Sequence, residues 1–283
     1  MNAFIDFKYQ DKNLAIQKYN SNILSILIIQ DGFVFYIYDK KELNLLHFEK
    51  RTNPKSGYFK QVIDTQIALI KEFSKFNLME VRFLIPSNKV TIVPTAIFDE
   101  SRTTELYQLN FEASDHFLIH SHRNQNYNSV LLYPVPEGFK LLNEEFNGMI
   151  KFYNQLIPFM DFVSMQPSEK GFEMFINIMS DYFDIIVVKD HQLKFLNSFH
   201  YQSNNDFLYF ILNVLKQLDI NRSDVAINLI GVKSKNDEKL KSLPHFIDKV
   251  FFYKELKLRY NFAVKQEDIL EHLNFLNLHL CAL

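Results

Sequence analysis

The 283-residue sequence contains one cysteine, no tryptophan and six glycines. A single thiol, Cys281, excludes an internal disulfide framework and suits a reducing compartment. It stands third from the end, whereas a prenylation box needs its cysteine fourth from the end. Six glycines are too few to furnish several glycine-rich phosphate loops. Basic residues are not in excess: 31 Lys and Arg face 33 Asp and Glu, a net charge of −2. That balance argues against nucleic acid as a partner, because such affinity rests on a basic face that neutralises phosphates. No uninterrupted apolar run reaches the roughly 20 residues of a membrane span. The best candidate, residues 23–38, is broken by Gln30-Asp31-Gly32. The start, Met1-Asn2-Ala3-Phe4-Ile5-Asp6, shows no basic region followed by an apolar stretch, so no signal peptide is expected. Also lacking are a P-loop, a dinucleotide fingerprint, a nucleophile elbow and a zinc-protease helix. These absences point to a cytoplasmic, soluble chain with no catalytic motif and no metal site.

What is present is an ordinary globular balance, 47% hydrophobic and 23% charged, with 29 Phe and 14 Tyr. The aromatic supply, alongside many Lys, Asn and Ile, reads as compositional background. Two domains are expected at this length.

Three strand-like runs open the chain at 23–29, 33–39 and 43–49. Their short turns at Asp31-Gly32 and Asp39-Lys40-Lys41 require antiparallel neighbours. Phe59, Val62, Ile63, Ile67, Ile70 and Phe73 then recur at helical spacing, and 81–85 is a short strand closed by Pro86. Strands are expected at 90–93, 117–122 and 130–133, and helices at 99–109 and from Pro136 through Phe146. The region 148–165 reads equally as strand or helix. Gln166-Pro167-Ser168-Glu169-Lys170-Gly171 is the best linker. After it come three more runs, at 172–179, 183–188 and 193–201. Ser203 and Asp206 form a capping box for a helix carrying Phe207, Phe210, Ile211, Val214 and Leu218. A strand follows at 225–230, a helix at 237–243 stopped by Pro244, a strand at 250–253, and a terminal amphipathic helix from Ile269 to Leu280.

Three meander strands, a long amphipathic helix and a fourth strand thus occur twice in the same order. That is the layout of the actin and ribonuclease-H-like superfold: an α/β chain of two tandem halves, each a mixed sheet opening with three antiparallel strands, facing across a cleft. The expected division is 1–166 and 171–283. The runs 24–35, Val93-Pro94-Thr95-Ala96-Ile97-Phe98-Asp99-Glu100, and 183–209 through Asn197-Ser198-Phe199-His200-Tyr201 resemble an uncharacterised bacterial family. That family, a domain of unknown function, has an actin-like ATPase fold. The resemblance extends distantly to actin-like cytoplasmic proteins of pilus assembly and type II secretion. It implies an inserted subdomain near 89–127, a terminal helix packing across the first half, and a protein partner that could be membrane-associated.

Actin-like ATPases hold phosphate with Asp-led, Gly-containing hairpin turns, whose backbone N–H groups must approach the anion closely. The corresponding positions here are Asp31 and Gly32 in the first turn, Asp181 in the glycine-free turn Ser180-Asp181-Tyr182-Phe183, and Gly231 at the adenosine position. The first turn is too short and too bulky after its glycine, and the second has no glycine. No cofactor is therefore expected; ATP with magnesium remains the alternative, with those four residues as its site. His116, His120 and His122 form the one histidine cluster, read as polar edge-strand residues rather than metal ligands. Asp31, Asp181, Asp184 and Asp206 could line a cleft, but Asp206 caps a helix and the other three are read as turn residues. Tyr201 and Tyr209 flank the cap in an aromatic-rich stretch and are read as core, with a partner-binding edge as the alternative. The leading functional reading is a non-catalytic scaffold for a protein partner. A weak nucleotide switch or ATPase, and a small-molecule sensor, are the alternatives.

Overall fold

A computed structural model describes residues 4–15, 21–29, 32–52, 59–167, 171–232, 237–260 and 264–282. Their contacts divide the chain into two units. The first comprises Met1–Arg123, Asn128–Ile157 and Lys257–Val264; the second comprises Asn124–Tyr127, Pro158–Leu256 and Lys265–Leu283.

The first unit is built on a six-stranded sheet. Its strands are β1 (Phe4–Gln10), β2 (Asn22–Ile29), β3 (Gly32–Asp39), β4 (Asn44–Thr52) and β5 (Leu78–Leu84). A later strand, β9 (Ile150–Tyr153), completes the order β1-β4-β3-β2-β5-β9. β2, β3 and β4 run as an antiparallel meander, while β5 and β9 add in parallel. Helix α1 (Phe59–Ser74) supplies the crossover that a parallel β2–β5 pair demands. It buries Ile63, Leu69, Ile70 and Phe73. β1 is an addition to the expected layout. Its residues 5–10 alternate apolar and polar, a strand signal that the sequence reading passed over, and it pairs antiparallel with β4 from Phe4↔Thr52 to Gln10↔His47.

Between β5 and β9 the chain builds a separate three-stranded sheet. It comprises β6 (Thr91–Pro94), β7 (Phe117–Asn124) and β8 (Ser129–Pro136), in the order β6-β8-β7. The helical stretch expected at 99–109 is a 3-10 turn, Glu100–Arg102, continued by α2 (Thr103–Gln108). Val93, Tyr107, Val130 and Leu132 form a small core there. α3 (Phe139–Glu145) leads back to β9. The ambiguous region 148–165 resolves into β9 followed by α4 (Leu156–Ser164).

The second unit repeats the plan in five strands: β10 (Phe172–Ile178), β11 (Tyr182–Lys189), β12 (Gln192–His200), β13 (Val225–Ile230) and β14 (Lys249–Phe252). Their order is β12-β11-β10-β13-β14, with the first three antiparallel and the last two added in parallel. This is the order of β4-β3-β2-β5-β9, strand for strand. Helix α5 (Asn204–Gln217) occupies the place of α1 and buries Phe207, Ile211, Val214 and Leu215 against Ile176, Phe183, Ile185 and Leu229. Its capping box is formed as expected. Ser203 Oγ accepts from the Asp206 N–H at 3.2 Å, and Asp206 accepts from the Ser203 N–H at 3.0 Å.

Two helices expected from the sequence are different objects. Residues 237–243 form two 3-10 turns, Glu238–Leu240 and Leu243–His245, and Pro244 sits within the second instead of ending a helix. Proline suits a first turn, where its missing N–H is not needed. The terminal helix is broken into α6 (Gln266–Glu271), α7 (Leu273–Leu276) and a 3-10 segment, Asn277–Ala282. His272, at φ −109° and ψ 19°, separates the first two. A side chain also competes with the backbone here, since His279 Nδ1 lies 2.7 Å from the Leu276 carbonyl oxygen. No described helix is long and apolar enough to cross a membrane.

Candidate functional site

Asp31 lies outside the described residues. Gly32 opens β3 opposite Thr52 of β4, and a Cβ built there would overlap the Arg51 carbonyl oxygen. The space left by the missing side chain is filled by a neighbouring strand. Gly231 follows β13 at φ +81°, a conformation that disfavours any side chain. A Cβ there would overlap the Ile178 carbonyl oxygen at the end of β10. Both glycines are therefore required by close backbone approach within their own sheets.

Asp181 occupies the β10–β11 turn at the same end of the sheet as Gly231. It is exposed, and its carboxylate accepts a hydrogen bond from Ser180 Oγ at 3.1 Å. The turn is held from the side by Tyr201, whose hydroxyl lies 2.8 Å from the Met179 carbonyl oxygen and 3.1 Å from that of Ser180. The Met179 N–H donates to the Tyr182 carbonyl and the Tyr201 N–H to that of Asp181. An anion-binding turn presents converging N–H groups; here the turn directs carbonyls at a phenol. Tyr201 is 9% exposed, as a core residue should be, whereas Tyr209 is 62% exposed.

Asp184 corrects the sequence reading. It is not a turn residue but lies inside β11, fully buried. It accepts from Asn177 Nδ2 at 2.9 Å and Ser198 Oγ at 2.5 Å, which makes a polar row across β10, β11 and β12. An Asp inside the otherwise apolar run from Phe183 to Val188 was the available signal. Asp206 caps α5, as read.

The first unit holds a second buried polar group. His47, Glu49 and Arg51 alternate along β4 and so share the face turned to α1. His47 Nε2 lies 2.9 Å from Glu49 Oε2, Arg51 Nε donates to Glu49 Oε1, and Lys8 Nζ lies 3.5 Å away. Arg51 also forms a two-pronged pair with Glu72 of α1, both distances 3.0 Å. Burial alone would raise the Glu49 carboxyl. The hydrogen bonds from His47 and Arg51, with the guanidinium charge, outweigh it and bring the pKa to about 2. Burial is the main reason His47 is held below its ordinary value. This cluster ties β1, β4 and α1 together.

His120 and His122 share one face of β7. His120 meets Phe152 edge-on with centroids 5.8 Å apart, and His122 lies 6.0 Å from the Tyr153 ring. Burial lowers both below the ordinary histidine value, so both are neutral at pH 7. Among the described residues, no group of three or more His, Cys, Asp or Glu is placed to hold a metal ion.

Beside His120 lies the feature that sequence reasoning missed. A groove of about 460 Å³ is lined by Leu118 and His120 of β7, Val135 of β8, Lys140, Asn143 and Glu144 of α3, the turn Asn147-Gly148, and Phe152 of β9. β7 is an edge of the inserted sheet and β9 an edge of the main sheet. Leu118 is 40% exposed and its neighbour Phe117 43%. Tyr133 Oη donates to the Phe152 carbonyl at 2.8 Å and fixes the inserted sheet against β9. Phe152 packs in turn against Phe83 and Phe139, the three ring centroids 5.6–5.9 Å apart.

Comparison with solved structures identifies the fold. A Bacteroides thetaiotaomicron protein with an actin-like ATPase fold and unknown function aligns with a TM-score of 0.76 at 23% identity, covering 93% of this chain and 96% of that one. The PilM–PilN type IV pilus biogenesis complex aligns with a TM-score of 0.60 at 9% identity, covering 92% and 97%. The chain has the actin-like ATPase fold. No curated protein sequence matches it. Residues 11–250 match the family described as a protein of unknown function, DUF3822, and the chain belongs to that family.

Proposed function

We propose that this chain is a non-catalytic scaffold that holds an extended segment of a protein partner in the groove beside β7. The observation that carries the reading is an apolar cavity of about 460 Å³ bordered by two sheet edges, β7 and β9. An edge strand offers unpaired N–H and C=O groups to an added strand, and pockets between alternate side chains supply specificity. Leu118, Val135 and Phe152 suit aliphatic side chains at every second position of such a segment. The shared fold with PilM, whose structure was determined as a complex with PilN, supports a protein partner as the ligand class.

The test is a library of extended decapeptides with alternating aliphatic residues, screened against the full chain and against Leu118→Lys. Micromolar binders that Leu118→Lys weakens at least tenfold, with an unchanged Tm, support the reading. An absence of binders, or binders indifferent to Leu118→Lys, overturns it.

The second reading is a weak nucleotide switch. It is favoured by one observation, that Gly231 and the Ser180-Asp181 turn share one end of the second-unit sheet. Against it, both glycines are occupied by neighbouring backbone and the turn carbonyls are held by Tyr201. Calorimetric titration with ATP and magnesium separates the two. We expect no heat of binding at millimolar ATP. Micromolar affinity that is lost in Asp181→Ala would establish the switch instead.

A further inference from the structure

The two sheets match strand for strand, and the match extends to a bulge. Leu46 of β4 is an extra residue between the pairs Ile37↔His47 and Tyr38↔Leu45. Lys194 of β12 is the same extra residue between Val187↔Phe195 and Val188↔Leu193. Aligning the bulges sets His47, Glu49 and Arg51 of β4 in the places of Phe195, Asn197 and Phe199 of β12. One difference lies at the outer edge. In the first unit β1 pairs antiparallel with β4 and closes that edge. In the second unit β12 ends the sheet, and among the described residues no strand pairs with its far side. Lys194, Asn197 and His200 are exposed there, while Phe195, Leu196 and Phe199 are half-buried.

An open edge presents backbone donors and acceptors to another chain. This one also has an aromatic flank on the face that α5 covers. Phe195 stacks on Phe199 with centroids 6.3 Å apart, Phe199 stacks on Phe210 of α5 at 4.8 Å, and Phe210 meets Tyr209 at 5.5 Å. The strip thus runs from the strand edge to the exposed Tyr209 ring. A strand like β1 does not suit it. β1 sets Lys8 against Glu49 and Asp6 against Lys50, whereas the equivalent places in β12 hold the uncharged Asn197 and Ser198.

The run Phe195-Leu196-Asn197-Ser198-Phe199 is instead complementary to itself. Laid antiparallel against its own copy about a two-fold axis through Asn197, it sets Phe195 against Phe199 of the second copy, twice. Residues 195, 197 and 199 share one face, and an axis normal to the sheet keeps that face in common. Directly opposed aromatic side chains are favourable cross-strand pairs. At the axis Asn197 meets itself. Its Oδ1 already accepts from the Ser198 N–H at 2.9 Å, and a primary amide has two donors with which to bond to its copy. No Asp, Glu, Lys or Arg falls within the run, so the pairing opposes no like charges there.

We propose that the open edge of β12 pairs with the same edge of a second copy of this chain, joining two five-stranded sheets about a two-fold axis at Asn197. Such a contact uses one patch on both copies and closes at two. Confined to one strand edge and the α5 flank, it falls with interfaces below about 1,200 Å², and a dissociation constant of the order of micromolar is expected. It shares no residue with the groove beside β7 and does not rest on the scaffold reading.

The experiment is sedimentation velocity of the full chain from about 1 to 200 μM. The expected result is a reversible monomer–dimer equilibrium, weakened at least tenfold by Asn197→Lys and unchanged by Leu118→Lys in the groove. Asn197→Lys opposes two ammonium groups at the axis, and because the position is exposed its circular dichroism should match that of the parent chain. A second arm uses cysteine in a Cys281→Ser background. Only a residue at the axis meets its own copy, so mild oxidation should link Asn197→Cys chains in pairs and leave Lys194→Cys chains single. A monomer throughout the range overturns the proposal. So does a dimer indifferent to Asn197→Lys, growth beyond two copies, or equal cross-linking of the two cysteine variants.

Discussion

At Gly231 the backbone takes φ +81° while passing alongside the Ile178 carbonyl, so two requirements meet in one residue. A side chain there needs both a left-handed conformation and room that β10 occupies. Gly231→Ala is therefore expected to cost about 2 kcal/mol or more of stability, measured by urea unfolding. A loss below ~0.5 kcal/mol would show that the β10–β13 approach is looser than described. Glu49 makes a different prediction. Its folded pKa of about 2 lies below the ordinary 4.5, so the stability it contributes is complete above pH 4.5 and is lost as pH falls from 4.5 towards 2. The gap corresponds to at most about 3 kcal/mol at 1.36 kcal/mol per pH unit. His47, His120 and His122 are also held below 6.5, mainly by burial, so each adds stability that is lost as pH drops below 6.5. Tm should thus decline in two stages on acidification. Glu49→Gln should be less stable at pH 7 and should flatten the stage below pH 4.5. An unaltered pH profile in that variant would remove Glu49 from the acid transition.

On the scale of elements, α5 was fully legible. Its capping box, apolar spacing and length are local properties, and Ser203, Asp206, Phe207 and Ile211 announce them within one helix. Ser203→Ala should cost about 1 kcal/mol and speed amide exchange in the first turn of α5 while the sheet amides stay protected. Uniform exchange across α5 and β11 would instead mean that the cap acts on the whole unit. β1 and the terminal segment were not read, for different reasons. β1 carried the apolar–polar alternation of residues 5–10, but it is exposed along most of its length and exists because the β4 edge is there to pair with. The terminal segment is buried on nearly every side, so its leucines satisfy a helical spacing without revealing the break at His272. Asp184 shows the same limit from within a strand. Its identity suggested a turn, but its partners Asn177 and Ser198 lie on neighbouring strands, 7 and 14 residues away.

For the whole molecule, the two sheets share one strand order and one pattern of antiparallel and parallel pairs. Each has its own helix covering the same face of the opening meander. The chain does not cross between the units once at the linker, however. α4 lies before the linker, yet from Pro158 onward it belongs to the second unit, where Phe162 packs edge-on against Tyr253 with centroids 5.1 Å apart. Residues 257–264 return to the first unit, where Arg259 exchanges 2.8 Å backbone bonds with Leu43 and Leu45. A fragment starting at Gly171 should therefore lack part of its core. We expect it to unfold with a broad, low-amplitude transition in near-ultraviolet circular dichroism, whereas one starting at Leu156 regains a sharper one. Equal cooperativity in both fragments would show α4 to be dispensable.

The sequence by itself determined the repeated element order, because tight Asp-Gly and Lys-Lys turns force antiparallel meanders and helical spacing marks the crossovers. It also determined the loss of glycine from the second turn, and the α5 cap. Only the tertiary structure decided what the remaining glycines are for, since Arg51 and Ile178 meet Gly32 and Gly231 from distant parts of the chain. The groove beside β7 was decided there too. It is lined by residues from several separate segments, and the shape of a space depends on where those segments meet, which no local pattern encodes.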